Sequence, residues 1–299
     1  MSAVEAAAPP PGEIPAYLPF TAQFDLTSKL NGRAYRIFLF KPLLPPPPEG
    51  YALIVTSDGN LTFPIASVVN AAYGLGGGRN AVVVGVGYTT DNPLEWGLLR
   101  RRDLTPPTPL SAIPAMPGWP EPKPEDYGGA EEFHRFLTEE LRPLIAARWP
   151  IDPADQTLYG HSLGGLFTLY ALLNHPTSFR GFVASSPSIW WNERAILDDV
   201  PAFAARIAAG EAQPRVLITI GATEQDPLAV VPPGFTRETA EKMIVDARMV
   251  ENAAELGAQL EALKGGPSYL ARYRALDEDD HTTSLATSIG RMLGFALRP

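Results

Sequence analysis

Apolar positions along the chain change period repeatedly, and each change marks an element. Thr21 to Ser28 (TAQFDLTS) and Arg33 to Phe40 (RAYRIFLF) alternate as half-exposed strands do, with Asn31-Gly32 between them as a hairpin turn. Tyr51 to Thr56 (YALIVT), Ala81 to Val86 and Arg215 to Ile220 (RVLITI) read as strands of a buried sheet. Asp155 to Tyr159, Phe182 to Ala184 and Tyr269 to Leu276 complete the strand set. Helical spacing covers Phe63 to Tyr73, Leu163 to Asn174 (LGGLFTLYALLN) and Ser284 to Leu297. It also covers Ala130 to Ala147, where Phe133, Phe136, Leu137, Leu141 and Leu144 share a stripe and Pro143 predicts a kink. Phe235 to Lys264 is helical too, with Gly257 a break and Gly265-Gly266 a stop.

Strands that alternate with helices predict an α/β fold: a three-layer sandwich with a mostly parallel central sheet and antiparallel N-terminal edge strands. Residues 21–299 are expected to form one domain, and 1–20, rich in proline and without a long apolar run, a flexible lead-in. Residues 91–128 read as a long, proline-dense, structure-poor segment, expected to be a lid-like loop. The glycine run Gly74 to Gly78 follows a helix and precedes a strand. Phosphate-cradling loops need the opposite order, so this run is a helix-ending turn.

Charge and composition narrow the chemistry. Lys and Arg number 24 against 33 Asp and Glu, a net charge of −9 that repels phosphate backbones and argues against nucleic acid or an anionic membrane as partner. Cysteine is absent, which removes disulfides, thiolate nucleophiles and cysteine metal sites. The chain is expected in the cytoplasm, or in the periplasm if a signal peptide has been removed. No stable membrane insertion, metal or cofactor is expected, and the sequence leaves the oligomeric state open.

The most informative stretch is Gly160-His161-Ser162-Leu163-Gly164, placed between a strand and an apolar helix. Such a turn lifts a serine hydroxyl out of the backbone, and it closes only if the positions two before and two after have almost no side chain. The N–H of Leu163 then points to where a tetrahedral oxyanion forms, with Gly59 or Asn60 after the Tyr51 strand as the second donor. Carboxylates at Glu224 and Asp226 follow the Arg215 strand, and His281 follows the last strand. The order Ser, acid, His is that of the α/β-hydrolase arrangement. His281 is the base left when His134, His161 and His175 are set aside: the first as a surface or boundary residue in mid-helix, the second with its ring turned away, the third as a helix cap. For the acid, Glu224 ranks above Asp226, and the run Asp277 to Asp280 third. Arg100, Arg101 and Arg102 form the only dense positive run and suit an anionic or catechol-like group, with Trp96 or Trp119 stacking on a ring. Trp190 and Trp191, just past a strand end, suit the wall of an aromatic-accepting cleft.

Several stretches together resemble the esterase D-like branch of the α/β-hydrolases, within it siderophore esterases that open catecholate trilactones such as enterobactin, salmochelin or bacillibactin. They are Tyr159 to Phe167, Ser186-Pro187-Ser188 with Trp190-Trp191, Asp58-Gly59-Asn60, and Arg102-Asp103-Leu104-Thr105-Pro106. The resemblance runs from about Thr21 onward, without the extra N-terminal domain of some enterobactin esterases. It implies a serine ester hydrolase of a small-molecule ester, with Ser162 as nucleophile, His281 as base and oxyanion donors at Leu163, Gly59 and Asn60. It also implies arginines of the 100–102 run, Arg101 and Arg102 among them, beside an acidic ligand. The acidic run before His281 departs from the pattern. An acyltransferase, a feruloyl or thioester hydrolase, and a non-catalytic binding protein share the fold and are the alternatives.

Overall fold

The computed structural model describes residues 18–79, 81–113, 120–228, 230–231 and 234–297. The lead-in up to residue 17 and Trp119 lie outside them. Eight strands, β1 (Thr21–Thr27), β2 (Ala34–Phe40), β3 (Tyr51–Ser57), β4 (Ala81–Gly87), β5 (Ile151–His161), β6 (Gly181–Ser185), β7 (Arg215–Gly221) and β8 (Leu270–Leu276), form one sheet in the order β1-β2-β4-β3-β5-β6-β7-β8. The pairs β1·β2 and β2·β4 are antiparallel and all later pairs parallel, the arrangement expected from the alternating N-terminal strands and the apolar runs after them.

The helices are α1 (Gly59–Leu75), α2 (Pro93–Leu104), α3 (Ala130–Arg135), α4 (Arg142–Ala146), α5 (Leu163–Asn174), α6 (Trp191–Arg194), α7 (Val200–Ala208), α8 (Arg237–Ala247), α9 (Met249–Glu261) and α10 (Thr283–Leu297). Because successive strand residues face opposite ways, the sheet feeds two separate cores. Ile54, Val83, Tyr159, Val183 and Leu217 pack under α1 and α10. Leu53, Val84, Leu158, Phe182 and Val216 pack on the other face, under α3, α5, α7 and α9. Helix α5 is apolar on nearly every side and almost wholly buried, as such a helix must be.

Three local expectations are corrected. Residues 91–128 are not uniformly structure-poor, because α2 occupies 93–104: the Asn92 side chain caps the N–H groups of Leu94 and Glu95, and Pro93 sits at the first helical position. The kink at Pro143 is a π-helical turn over Phe136–Leu141, which absorbs the hydrogen bond that proline cannot donate. The segment after Phe235 breaks at Arg248 (φ 44°, ψ 45°), between α8 and α9, and not at Gly257. Gly257 lies inside α9, where a Cβ would meet the Tyr273 side chain at 2.7 Å.

Candidate active site

The carboxyl ends of β3, β5, β6, β7 and β8 lie along one rim of the sheet, and the loops leaving them carry the candidate residues. Ser162 follows β5 with φ 61° and ψ −119°, a conformation most side chains avoid. The turn holds because its neighbours have no side chains. A Cβ at Gly160 would lie 2.0 Å from the Gly164 carbonyl oxygen, and one at Gly164 would lie 2.5 Å from Ser57 Oγ. Backbone bonds lock it on both sides: Ser162 N–H donates to the Ser185 carbonyl at 3.0 Å, and the Ser162 carbonyl accepts from Ser188 N–H at 3.2 Å.

Leu163 is the first residue of α5, and Gly59 and Asn60 are the first two of α1. The opening N–H groups of a helix have no intrahelical acceptor, so all three are donors at positive helix ends. The β3–α1 turn is tied down firmly. Asp58 takes a left-handed conformation (φ 53°), and the Asn60 side chain clamps both the N–H and the carbonyl of Tyr88 beyond β4.

Glu224 is 8% exposed, and each of its oxygens is committed. Oε1 accepts from the Ser186 hydroxyl and from Gly221 N–H at 2.8 Å, whereas Oε2 accepts from His281 Nδ1 at 2.7 Å. That pairing leaves Nε2 as the free nitrogen of a half-exposed imidazole. Asp226 is exposed. In the acidic run, Asp280 Oδ1 accepts from the N–H groups of Thr282 and Thr283 at the start of α10, and these bonds hold its carboxyl below the usual carboxylate range. Its carboxylate thus serves the helix end first, with the neighbouring His281 a smaller influence.

His161 does not turn away from the site. Its Nδ1 lies 3.1 Å from Ser185 Oγ, and its ring centre is 4.8 Å from that of His281. Burial, then the nearby charges of His281 and Arg100, push its pKa down to about 3, so it stays neutral beside His281.

The arginine run divides into separate tasks. Arg100, which the sequence did not separate from its neighbours, grips Asp58 through both side-chain oxygens at 2.9 and 2.8 Å and ties α2 to the β3–α1 turn. Arg102 donates to the Tyr127 carbonyl and to Glu132 at 3.2 Å, bonds that tie α2 to the segment leading into α3. Arg101 reaches the Tyr127 hydroxyl at 3.3 Å, and burial pushes its guanidinium below the usual arginine range. Trp191 is 6% exposed, stacks on Tyr127, donates its indole N–H to Thr108 at 2.8 Å, and lines a cavity of about 300 Å³ with Pro106, Pro107 and Tyr170. Half-buried Trp190 lines a separate cavity of about 950 Å³, together with Arg194, Phe235, Lys242, Met243 and Arg248. Ser162, Glu224 and His281 do not themselves line this cavity; Trp190 lies two residues past Ser188, whose N–H donates to the Ser162 carbonyl.

Ser186 was visible in the sequence only as part of a resembling stretch, with no role. Its position one residue past β6 was the available signal, since that rim is where polar groups converge.

Comparison with known proteins gives a consistent set of likenesses. A family model described as Putative esterase matches residues 113–265. The chain is 35% identical over 292 residues to the ferri-bacillibactin esterase of Bacillus subtilis, covering 94% of this chain and 91% of that one. It is 33% identical over 254 residues to the siderophore triacetylfusarinine C esterase of Aspergillus fumigatus, covering 81% and 80%. Among solved structures, the BES protein from Bacillus cereus superposes with a TM-score of 0.78 at 30% identity, over 96% of this chain and 99% of that one. A siderophore hydrolase from Aspergillus nidulans gives 0.76 at 30% identity, over 95% and 98%.

Proposed function

Because the chain belongs to the Putative esterase family and is an esterase of the α/β-hydrolase fold, we propose that it opens siderophore esters by nucleophilic attack from Ser162. The observation that carries the reading is the commitment of Glu224. With one oxygen held by Ser186 and Gly221 and the other on His281 Nδ1, it fixes the imidazole tautomer that presents a basic Nε2.

In this reading Ser162 Oγ attacks the ester carbonyl carbon while His281 Nε2 takes its proton, and the carbonyl oxygen becomes an oxyanion met by the N–H of Leu163 and of Gly59 or Asn60. The tetrahedral intermediate collapses, the C–O bond breaks, and His281 returns the proton to the leaving alcohol. A water, deprotonated by His281, then attacks the acyl-serine, and the same steps in reverse sense release the acid and restore the serine. Glu224 keeps its hydrogen bond to Nδ1 throughout and stabilises the imidazolium.

The relatives' names point to ferri-bacillibactin and triacetylfusarinine C as the kind of ester to offer. The 950 Å³ cavity is large enough for one arm of such a ligand, and Trp190 and Phe235 beside Arg194 and Lys242 suit an aromatic, anionic arm. The test is to incubate wild type and Ser162→Ala with cyclic triester siderophores, with and without iron, and to weigh the products. Stepwise addition of one water per cleaved ester by wild type alone is expected. Turnover of simple aryl acetates with every siderophore left intact would overturn the substrate, and unchanged turnover by Ser162→Ala would overturn the mechanism.

A further inference from the structure

At the far end of α5 from Ser162 lies a second cluster of reactive side chains that the esterase chemistry does not use. Glu131 and His134 stand three residues apart on α3, so they share a face, and His175 caps the C-terminus of α5. One ligand atom from each of the three lies within 4.8 Å of the others. We propose that Glu131, His134 and His175 bind a divalent transition ion, with Zn²⁺ the best match, and that the ion fastens the nucleophile-bearing helix to α3.

His134 corrects the sequence expectation of a surface or boundary residue: it is 5% exposed, and its Nε2 is buried with no hydrogen-bond partner. A buried imidazole nitrogen left unpaired is costly, and a metal bond satisfies it without needing room for a water. The half-buried Glu131 Oε2 accepts from His175 Nε2 at 2.7 Å and from the Tyr170 hydroxyl at 3.0 Å. The tyrosine is thus placed as the outer partner that orients a ligating carboxylate.

Two imidazoles and one carboxylate favour zinc over calcium or magnesium, which prefer all-oxygen shells. Tetrahedral bonds of about 2.1 Å set ligand atoms roughly 3.4 Å apart, so the widest-spaced ligand atoms have to close by up to about 1.4 Å while Glu131 Oε2 and His175 Nε2, now 2.7 Å apart, move slightly apart. The two rings are stacked, with centres 4.1 Å apart and 12° between their planes, so one must turn for both to face an ion. His175, the less buried of the two and bordering a cavity, is the one to turn, releasing its 2.7 Å bond to Glu131. The nearby guanidinium of Arg142 donates to the Ser178 carbonyl at 2.7 Å and lies over the Phe179 ring. Twelve helical residues separate the cluster from Ser162, a distance of about 18 Å, so the ion would anchor the helix and take no part in ester cleavage. The sequence expectation was of no metal; Glu131 and His175 are 44 residues apart, a separation that carries no local ligand spacing.

The proposal stands independently of the hydrolase reading, and its test does not read activity. Untagged protein stripped with a chelator is dialysed against Zn²⁺ and then buffer, its metal is counted by mass spectrometry, and Tm is followed with and without the ion. A parallel sample takes Co²⁺ for its visible spectrum. About one zinc per chain is expected, with Tm raised by about 5 °C at a hundredfold excess over Kd and restored by chelator, and with a tetrahedral cobalt spectrum. Glu131→Gln and His175→Gln, checked for native circular dichroism, should lose all three responses. Failure of wild type to retain zinc or to respond in Tm, or retention unchanged in both variants, would overturn the site. Should either variant fail to fold, the wild-type cobalt spectrum and Tm response decide alone.

Discussion

Replacing Arg100 by Met leaves the Asp58 carboxylate, 5% exposed, without its partner while keeping most of the side-chain volume. The two bonds lost, at 2.9 and 2.8 Å, are charge-assisted and worth roughly 1.5–3 kcal/mol each. A second estimate, from breaking a buried ion pair on one side, gives about 3–5 kcal/mol, and the two agree. With a urea m-value of about 3 kcal/mol/M for a chain of this size, the unfolding midpoint should fall by about 1 M. Because Asp58 directly precedes the Gly59 and Asn60 donors, kcat should fall as well, by about tenfold or more, with KM less affected. Asp58→Asn and the double variant complete a cycle read by urea unfolding. The double change removes both charges, so it should cost much less than the sum of the singles, with a coupling of at least about 2 kcal/mol. A single-variant loss under about 1 kcal/mol, or a cycle additive within about 0.5 kcal/mol, would refute the view that this pair holds the β3–α1 turn.

Glu224→Gln keeps the shape but removes the charge that orients His281, so kcat on an activated ester should fall by about 10²–10⁴ with KM little changed. Ser186→Ala removes one of the bonds to Glu224 Oε1 and should cost about tenfold in kcat, smaller than the Glu224 effect in the same assay. Gly160→Ala forces a Cβ to within 2.0 Å of the Gly164 carbonyl oxygen, so the turn must open and fluorophosphonate labelling should vanish even where circular dichroism shows folded protein. His161, with a folded pKa of about 3 against 6.5 unfolded, binds fewer protons when folded, so its contribution is present above pH 6.5 and is lost as pH falls toward 3. His161→Gln should therefore lose roughly 3 kcal/mol less than wild type between pH 7 and pH 4 in urea unfolding, and equal losses would contradict the assignment.

What was legible in the chain was whatever a local period or a local turn could encode. The alternating edge strands, the apolar run of β4, the all-apolar α5 and the glycines around Ser162 each follow from a few neighbouring residues. Helix α2 was missed because it buries only Gly97, Asp103 and Leu104 and so presents no apolar stripe, although Asn92-Pro93 marked its start. The break at Arg248 was missed because glycine is the usual signal for a left-handed residue, and here an arginine adopts it. Partners far apart in sequence were out of reach. Arg100 and Asp58 are 42 residues apart and Ser186 and Glu224 are 38; the placement of α2 brings the first pair together and the register of β6 on β7 the second. For the same reason Trp190 and Trp191, adjacent in sequence, could not be assigned to the separate cavities that they line.

The most direct test of the account is to treat the protein with a fluorophosphonate and map the adduct by peptide mass spectrometry, alongside siderophore ester cleavage. The expected result is one adduct on the peptide bearing Ser162, absent from Ser162→Ala, slowed in His281→Ala and Glu224→Gln, with cleavage lost in step. An adduct elsewhere, or cleavage that survives in Ser162→Ala, would contradict it.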